Sequence, residues 1–400
     1  MQILASVSVF LLFAIALIVP GGFALGAVLL VLGSTALFRR SCRPQIDAQD
    51  KLMIFALAGY FLVCAAMNLL HGAPGREYDA PTRFLLAIPV LLLLRTAVPR
   101  PAALWGGLAA GGIGTGLLAV WLYLVRGDDR VGAFTNPIQF GNLSFLLGVL
   151  CLAGFFWARE QARSRGWMAL LAAGAVLGML ASLLSGSRGS WISLPFCLPA
   201  LYFYYAPVLT RRRLMAGGCI AVLALMALFV MPHSPIRQRL ELVVTETGGY
   251  VEGQETNTSV GARYEMWRTG AMLIKERPLL GWGKAGYMER ARELIADGKV
   301  APVVADHSHL HNEYIDAWVK RGIPGLLATL LLYALPLMLF IDQYRRGDTA
   351  ARPYALAGML TTISYIVFGF TQAFLTHDNG VTLYAFTLVI LWSLTRRPQA

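Results

Sequence analysis

The chain has 400 residues, 57% of them hydrophobic and only 14% charged, with a net charge of +12 and a mean hydropathy of +0.59. That composition excludes a water-soluble globular domain, in which charged residues make up about a quarter of the chain. The basic residues are scattered over short connections and form no single face, which excludes nucleic acid as a partner. None of the five cysteines (42, 64, 151, 197 and 219) lies in the longest polar segment, so no disulfide framework is expected there.

In chain order, apolar runs lie near 3–19, 22–38, 52–70, 82–98, 103–125, 139–157, 167–185, 190–206, 214–231, 323–341, 354–374 and 380–395. With about 20 residues needed per crossing, they read as about twelve transmembrane helices of an all-α polytopic membrane protein. The runs are continuously apolar, without the alternation of a barrel strand. The first lacks a basic n-region and a cleavage site and reads as a retained helix. With the N-terminus inside, the inner loops carry seventeen basic against five acidic residues and the short outer loops five against five. The positive-inside rule therefore puts both termini in the cytoplasm.

Along the first half, Gly106, Gly107, Gly111, Gly112, Gly114 and Gly116 crowd the fifth run, where small residues let helix backbones approach closely. Arg83 reads as a snorkelling anchor. Asn136, Gln139 and Asn142 bring amides to the outer end of the sixth span, either for sugar hydroxyls or for backbone freed by Pro137. Arg188 sits in the small-residue turn Ser185-Gly186-Ser187-Arg188-Gly189-Ser190 between two spans. Its planar fork, exposed there beside a helix start, suits phosphate oxygens; the alternative is another interfacial anchor.

Residues 232–322 are the one long polar segment, balanced at twelve basic and twelve acidic side chains. Such a length without structure is rare in a compact protein, so it should be partly helical and functional. The stretch 240–260 lacks apolar periodicity and would suit a lid. From Ala262 to about Glu276 the apolar residues recur at helical spacing until Pro278, as in an amphipathic helix lying along the membrane interface. This places Arg263 and Trp267 on one face. A short helix is expected at about 286–297 and another from Leu310 to Arg321, with His311, Ile315, Trp318 and Gly322 sharing a face.

Four of the six histidines fall in this segment: His233, His307, His309 and His311. On a helix only His307 and His311 would converge, whereas a strand would align His307, His309 and His311 for a metal. There is no HExxH and no cysteine partner, so the metal expectation is none. Neutral imidazole accepts a proton near neutral pH, which suits His311 as a general base oriented by Asp306, Glu313 or Asp316. His309 would tune or pack.

His311-Asn312, nine residues, Gly322, two residues and Gly325 match the H[NSQ]-x9-G-x2-[GTY] signature of O-antigen ligases and related protein O-oligosaccharyltransferases. Arg263-Tyr264-Glu265-Met266-Trp267 and Pro278-Leu279-Leu280-Gly281-Trp282-Gly283 also resemble that superfamily, which includes O-antigen polymerases. The resemblance implies a membrane-embedded glycosyltransferase-like fold of the C type. It implies transfer of preassembled polysaccharide from undecaprenyl diphosphate to a hydroxyl of lipid A–core, at the periplasmic face of a bacterial inner membrane, without metal or other cofactor. Carried over by position, His311 is catalytic and Arg188 and Arg263 bind the donor diphosphate, with His309, Asn312, Trp267 and Tyr314 in support. The expected organisation is nine transmembrane helices in 1–231, a periplasmic catalytic segment in 232–322, and three transmembrane helices with a cytoplasmic C-terminus in 323–400. A polymerase or protein O-oligosaccharyltransferase is the close alternative. A transporter would instead need charged residues inside the spans, which are nearly charge-free.

Overall fold

The computed structural model describes residues 1–38, 44–207, 209–210, 212, 241–242, 245–250 and 256–396. Among these the chain is helical and contains no strand. The helices are α1 (Gln2–Ala14), α2 (Gly22–Ser34), α3 (Ala48–Leu70), α4 (Asp79–Thr96), α5 (Pro101–Trp121), α6 (Pro137–Ala153) and α7 (Phe155–Arg159). They continue with α8 (Ser164–Leu184), α9 (Arg188–Tyr205), α10 (Ser259–Glu276), α11 (Gly283–Ala296), α12 (Glu313–Arg346), α13 (Arg352–Phe368) and α14 (Asp378–Thr395).

Every apolar run named above coincides with a helix except 214–231, which lies outside the described residues, as do Cys42, Cys219 and His233. Among the described residues, four helices are long and apolar enough by themselves to cross a hydrocarbon core: α3, α5 with its extension to Arg126, α8 and α12. Large apolar side chains such as Leu62, Leu117, Val176, Phe196 and Phe203 point outward from the bundle. In water they would be a liability, whereas a lipid surround accepts them. Cys64, Cys151 and Cys197 are buried and unbridged.

The glycines of α5 act in packing. A Cβ at Gly107 or Gly111 would lie 2.7 or 2.3 Å from the carbonyl oxygens of Phe10 and Phe13 on α1. One at Gly112 would lie 2.4 Å from the Gly174 carbonyl on α8. Only a residue without a side chain permits these approaches, so α5 is wedged between α1 and α8.

The polar segment caps one end of the bundle and has its own core, in which Met266 and Leu273 of α10 meet Tyr287 and Leu294 of α11, with Leu310 and Val319. The amphipathic face of α10 is therefore covered by protein, not laid on the membrane interface, because α11 and the start of α12 supply enough apolar surface to bury it. Residues 245–250, expected to lack regular structure, are helical and tied down: Glu246 accepts from the Val260 amide at 3.0 Å and the Tyr250 hydroxyl donates to Glu265 at 2.7 Å. The cap is moored to the bundle by Lys284 and Glu77 at 2.8 Å and by His71 Nε2 against the Leu280 carbonyl at 2.9 Å.

Gly322 makes the junction between cap and bundle possible. At φ 63°, ψ −163° it occupies a region that is essentially glycine's alone, and it breaks α12 into a cap part and an apolar part. A Cβ there would sit 2.1 Å from the Leu279 carbonyl oxygen. The break lets residues 278–282 pack against α12, where the Trp282 amide donates to Val319 at 2.8 Å and the Ile323 amide to Pro278 at 3.1 Å.

Candidate active site

α12 starts later than periodicity suggests. The Asn312 carboxamide accepts from the amides of Tyr314 and Ile315, both at 3.0 Å, and this cap sets the first helical residue at Glu313. His311, at φ 48°, has left-handed backbone that cannot continue into a right-handed helix. The expected helix face shared by His311, Ile315, Trp318 and Gly322 is therefore absent. Instead the loop curls and brings the rings together by neither a helix nor a strand: His309 and His311 lie 4.4 Å apart centre to centre, and His307 and His311 5.1 Å. A fourth ring joins from the loop before α14, His377, 5.2 Å from His309. No group of three or more His, Cys, Asp or Glu among the described residues is arranged to hold a metal ion.

Of the carboxylates expected to orient His311, Asp316 and Glu313 are engaged elsewhere. Asp316 accepts from the Leu310 amide at 3.0 Å and pairs with Lys320 at 2.7 Å, while Lys320 donates to the Ser308 carbonyl at 2.9 Å. This buried pair holds the backbone of the histidine loop. Glu313 accepts from the Leu375 amide at 2.7 Å and Asp306 is exposed. The signature is further stitched to the end of α13: the Glu313 amide donates to Gly369 at 2.7 Å, Asn312 Nδ2 to Phe370 at 3.3 Å and the Tyr314 hydroxyl to Ile366 at 2.7 Å. Asn312 and Tyr314 are thus positioning residues in the geometry. Trp267 Nε1 donates to the Leu310 carbonyl at 3.1 Å, fixing the loop from the α10 side.

Arg188 and Arg263 do come together. Both line one cavity of about 270 Å³, along with Arg130, Ser187, Tyr264, Trp267 and Thr371. Arg188 is the first residue of α9, whose N-terminal turn is held by Ser187 bonding Asn142 at 2.8 Å and Ser190 bonding the Ser187 carbonyl at 2.8 Å. Asn142 thus braces the turn through the Ser187 hydroxyl, and Asn136 caps α6 by accepting from the amides of Ile138 and Gln139 at 2.9 and 3.1 Å, which gives Asn136 the backbone role of the two readings. A Cβ on Gly189 would fall 2.4 Å from Thr371 Oγ1, so the α9 turn presses against the loop carrying Gln372 and His377. A larger cavity of about 870 Å³ lies at the far end of the bundle, between the start of α5, the end of α9 and the start of α13, away from these groups.

Electrostatics link the two clusters. Burial, then Arg188 and Arg130, push the Arg263 guanidinium down to about 10, so it remains charged at neutral pH. Three guanidiniums around one cavity repel one another, and an anion between them would relieve that repulsion. Burial also depresses the histidines. His311 falls to about 2, with His309, Arg263 and His307 adding to the effect, His377 falls to about 4, and His309 moves down as well. All three rings are neutral at neutral pH.

Arg130, Thr371, Gln372 and His377 were not singled out from sequence. Gln372 hides inside an apolar run, and the polar interruption His377-Asp378-Asn379 before the last apolar run is the signal that could have found its neighbour. Arg83, read as an anchor, pairs with Asp378 beside this loop.

A family model described as O-antigen ligase matches residues 173–330, which include Arg188, Arg263, His311, Gly322 and Gly325. The chain is 28% identical to an uncharacterized protein of Haemophilus influenzae over 379 residues, 94% of each chain. It is 22% identical to the O-antigen ligase of Escherichia coli over 283 residues, 70% of this chain and 63% of that one. The family resemblance read from His311-Asn312 and the glycines downstream is borne out over residues 173–330.

Proposed function

We propose that this protein is an O-antigen ligase acting at the periplasmic face of a bacterial inner membrane. Its donor would be polysaccharide on undecaprenyl diphosphate and its acceptor a hydroxyl of lipid A–core. The observation that carries this reading is the adjacency of an arginine-lined cavity and a neutral His311 within the family-matched region. Outside the cytoplasm no nucleotide supplies energy, so the donor's own glycosyl–phosphate bond, with a diphosphate as its leaving group, must do so.

In the reaction the acceptor oxygen attacks the anomeric carbon, its proton passes to His311, and the bond from that carbon to the phosphate oxygen breaks. The leaving diphosphate gains one negative charge, which the guanidiniums of Arg188 and Arg263 stabilise by charge-assisted hydrogen bonds in place of a metal. One displacement inverts the anomeric centre. A diphosphate bound among these arginines would counter the charge of Arg263, which adds to the depression of His311, and so move the ring toward the range of an effective base. The reading keeps the organisation of about twelve spans in a C-type glycosyltransferase-like fold, with residues 232–322 as the periplasmic catalytic segment.

The test is transfer by purified protein in nanodiscs with undecaprenyl-diphosphate-linked polysaccharide and lipid A–core as the sole acceptor. Product that vanishes in His311→Ala supports a ligase. Lengthening of the lipid-linked glycan instead would make the protein an O-antigen polymerase, and transfer only to added protein would make it an O-oligosaccharyltransferase.

A further inference from the structure

Gln372 is fully buried at the end of α13, in the loop that α9 and the histidine cluster pack against. Its Nε2 lies 3.1 Å from His377 Nε2, which anchors one end of the carboxamide. The other end is an unmet acceptor: Gln372 Oε1 is buried without a hydrogen-bond partner, and so are His311 Nδ1 and His309 Nε2. Buried polar atoms in native proteins are nearly always satisfied, so an unmet acceptor beside two unmet ring nitrogens marks a pairing or a site, and of the two rings His311 is the one whose other nitrogen the proposed reaction uses. The Gln372 carboxamide lies close enough to both His311 and His309 to oppose the depression of each ring. The last torsion of a glutamine side chain is broad, so the carboxamide can turn its oxygen toward a ring nitrogen at little cost. The backbone at His311 is held in a left-handed conformation that presents this ring to the loop, a strain that persists where the surroundings enforce it.

We propose that Gln372 is the positioning residue for His311: its Oε1 accepts the Nδ1 hydrogen, fixing the tautomer whose Nε2 lone pair receives the acceptor hydroxyl's proton. This rests on the proposed role of His311. A ring nitrogen can take a proton only if the other nitrogen carries the hydrogen, and the partner of that other nitrogen decides which form is present. Here the partner is a neutral amide, because Asp316 and Glu313 are bound to backbone amides and Lys320. A neutral amide sets the tautomer without adding a carboxylate's charge, in keeping with a ring that stays neutral. The groups facing His311 are His307 and His309 on its own loop, His377 and Gln372 from the loop after α13, and Arg263 from α10, with Asp316 and Lys320 acting on the neighbouring His309.

The test compares Gln372→Met, similar in volume, with Gln372→Glu, which keeps the acceptor oxygen, both in the nanodisc transfer assay. Gln372→Met should lower kcat about 10- to 30-fold, the loss of one good hydrogen bond, with the KM for donor unchanged. Gln372→Glu should retain most of the activity and move the acid limb of the pH profile upward, since a carboxylate favours the charged ring. Nitrogen-15 NMR of histidine-labelled protein should show the Nδ1–H form at His311 in the parent and a mixture in Gln372→Met. Met and Glu variants equally impaired, a parent His311 in the Nε2–H form, or wild-type kcat in Gln372→Met would each overturn the proposal. A parent without transfer activity would overturn the ligase reading itself, and the NMR arm would still judge the pairing.

Discussion

Replacing Gly322 with alanine tests whether the break in α12 is what seats the histidine loop. The glycine's φ and ψ cost an alanine about 1–3 kcal/mol. Its Cβ would also stand 2.1 Å from the Leu279 carbonyl oxygen, a backbone atom that cannot rotate away. Moving that carbonyl strains the bonds from Trp282 to Val319 and from Ile323 to Pro278, each worth about 1 kcal/mol. Together the loss is about 3–5 kcal/mol. A domain of 150–250 residues shifts by about 2–4 °C per kcal/mol, and a longer chain by less, so detergent-solubilised Gly322→Ala should unfold roughly 5–10 °C below the parent and lose most transfer activity. The internal control is Gly286→Ala in α11, where a Cβ would make only ordinary contact with Trp282 at 3.6 Å. That variant should match or slightly exceed the parent, because alanine is the better helix former by about 1 kcal/mol. A Gly322→Ala protein that unfolds with the parent would refute the account of the junction.

His311→Ala should reduce turnover by about 10²- to 10⁴-fold while leaving the protein's yield in membranes unchanged; near-parental turnover would remove it from the mechanism. Arg188→Lys and Arg263→Lys keep a charge but lose the two-pronged contact, so the donor KM should rise about 10-fold or more, measured at fixed acceptor; unchanged KM would end the diphosphate assignment. The folded pKa values of His311 and His377, about 2 and about 4, lie below the unfolded value of about 6.5. Their contribution to stability is thus complete above pH 6.5 and lost as pH falls, at about 1.4 kcal/mol per pH unit for each ring. Thermal unfolding between pH 7 and 5 should show this decline, shallower in His377→Asn; a flat profile would contradict the buried neutral rings. Transfer should persist after exhaustive chelation, and recovery of lost activity by one divalent metal would reinstate a metal centre.

The sequence by itself determined the helical, membrane-type character of the chain, because uninterrupted apolar runs bounded by basic loops allow little else. It also singled out His311, Arg188 and Arg263, through side-chain chemistry that stands out against an apolar background. It misjudged what surrounds them for local reasons. Periodicity continued α12 back to Leu310, whereas Asn312 caps the helix at Glu313 and His311 turns left-handed. The carboxylates near His311 in sequence looked like its partners, but their oxygens satisfy backbone amides and Lys320. Only the tertiary structure brought Gln372 and His377, more than sixty residues away in sequence, to the histidine loop, and Arg130 to the cavity of Arg188 and Arg263. No local pattern encodes such meetings, because they depend on how α9, α10 and α13 pack against one another. Backbone approach at Gly189 and Gly322 decides that packing, and the need of each buried polar group for a partner decides the rest.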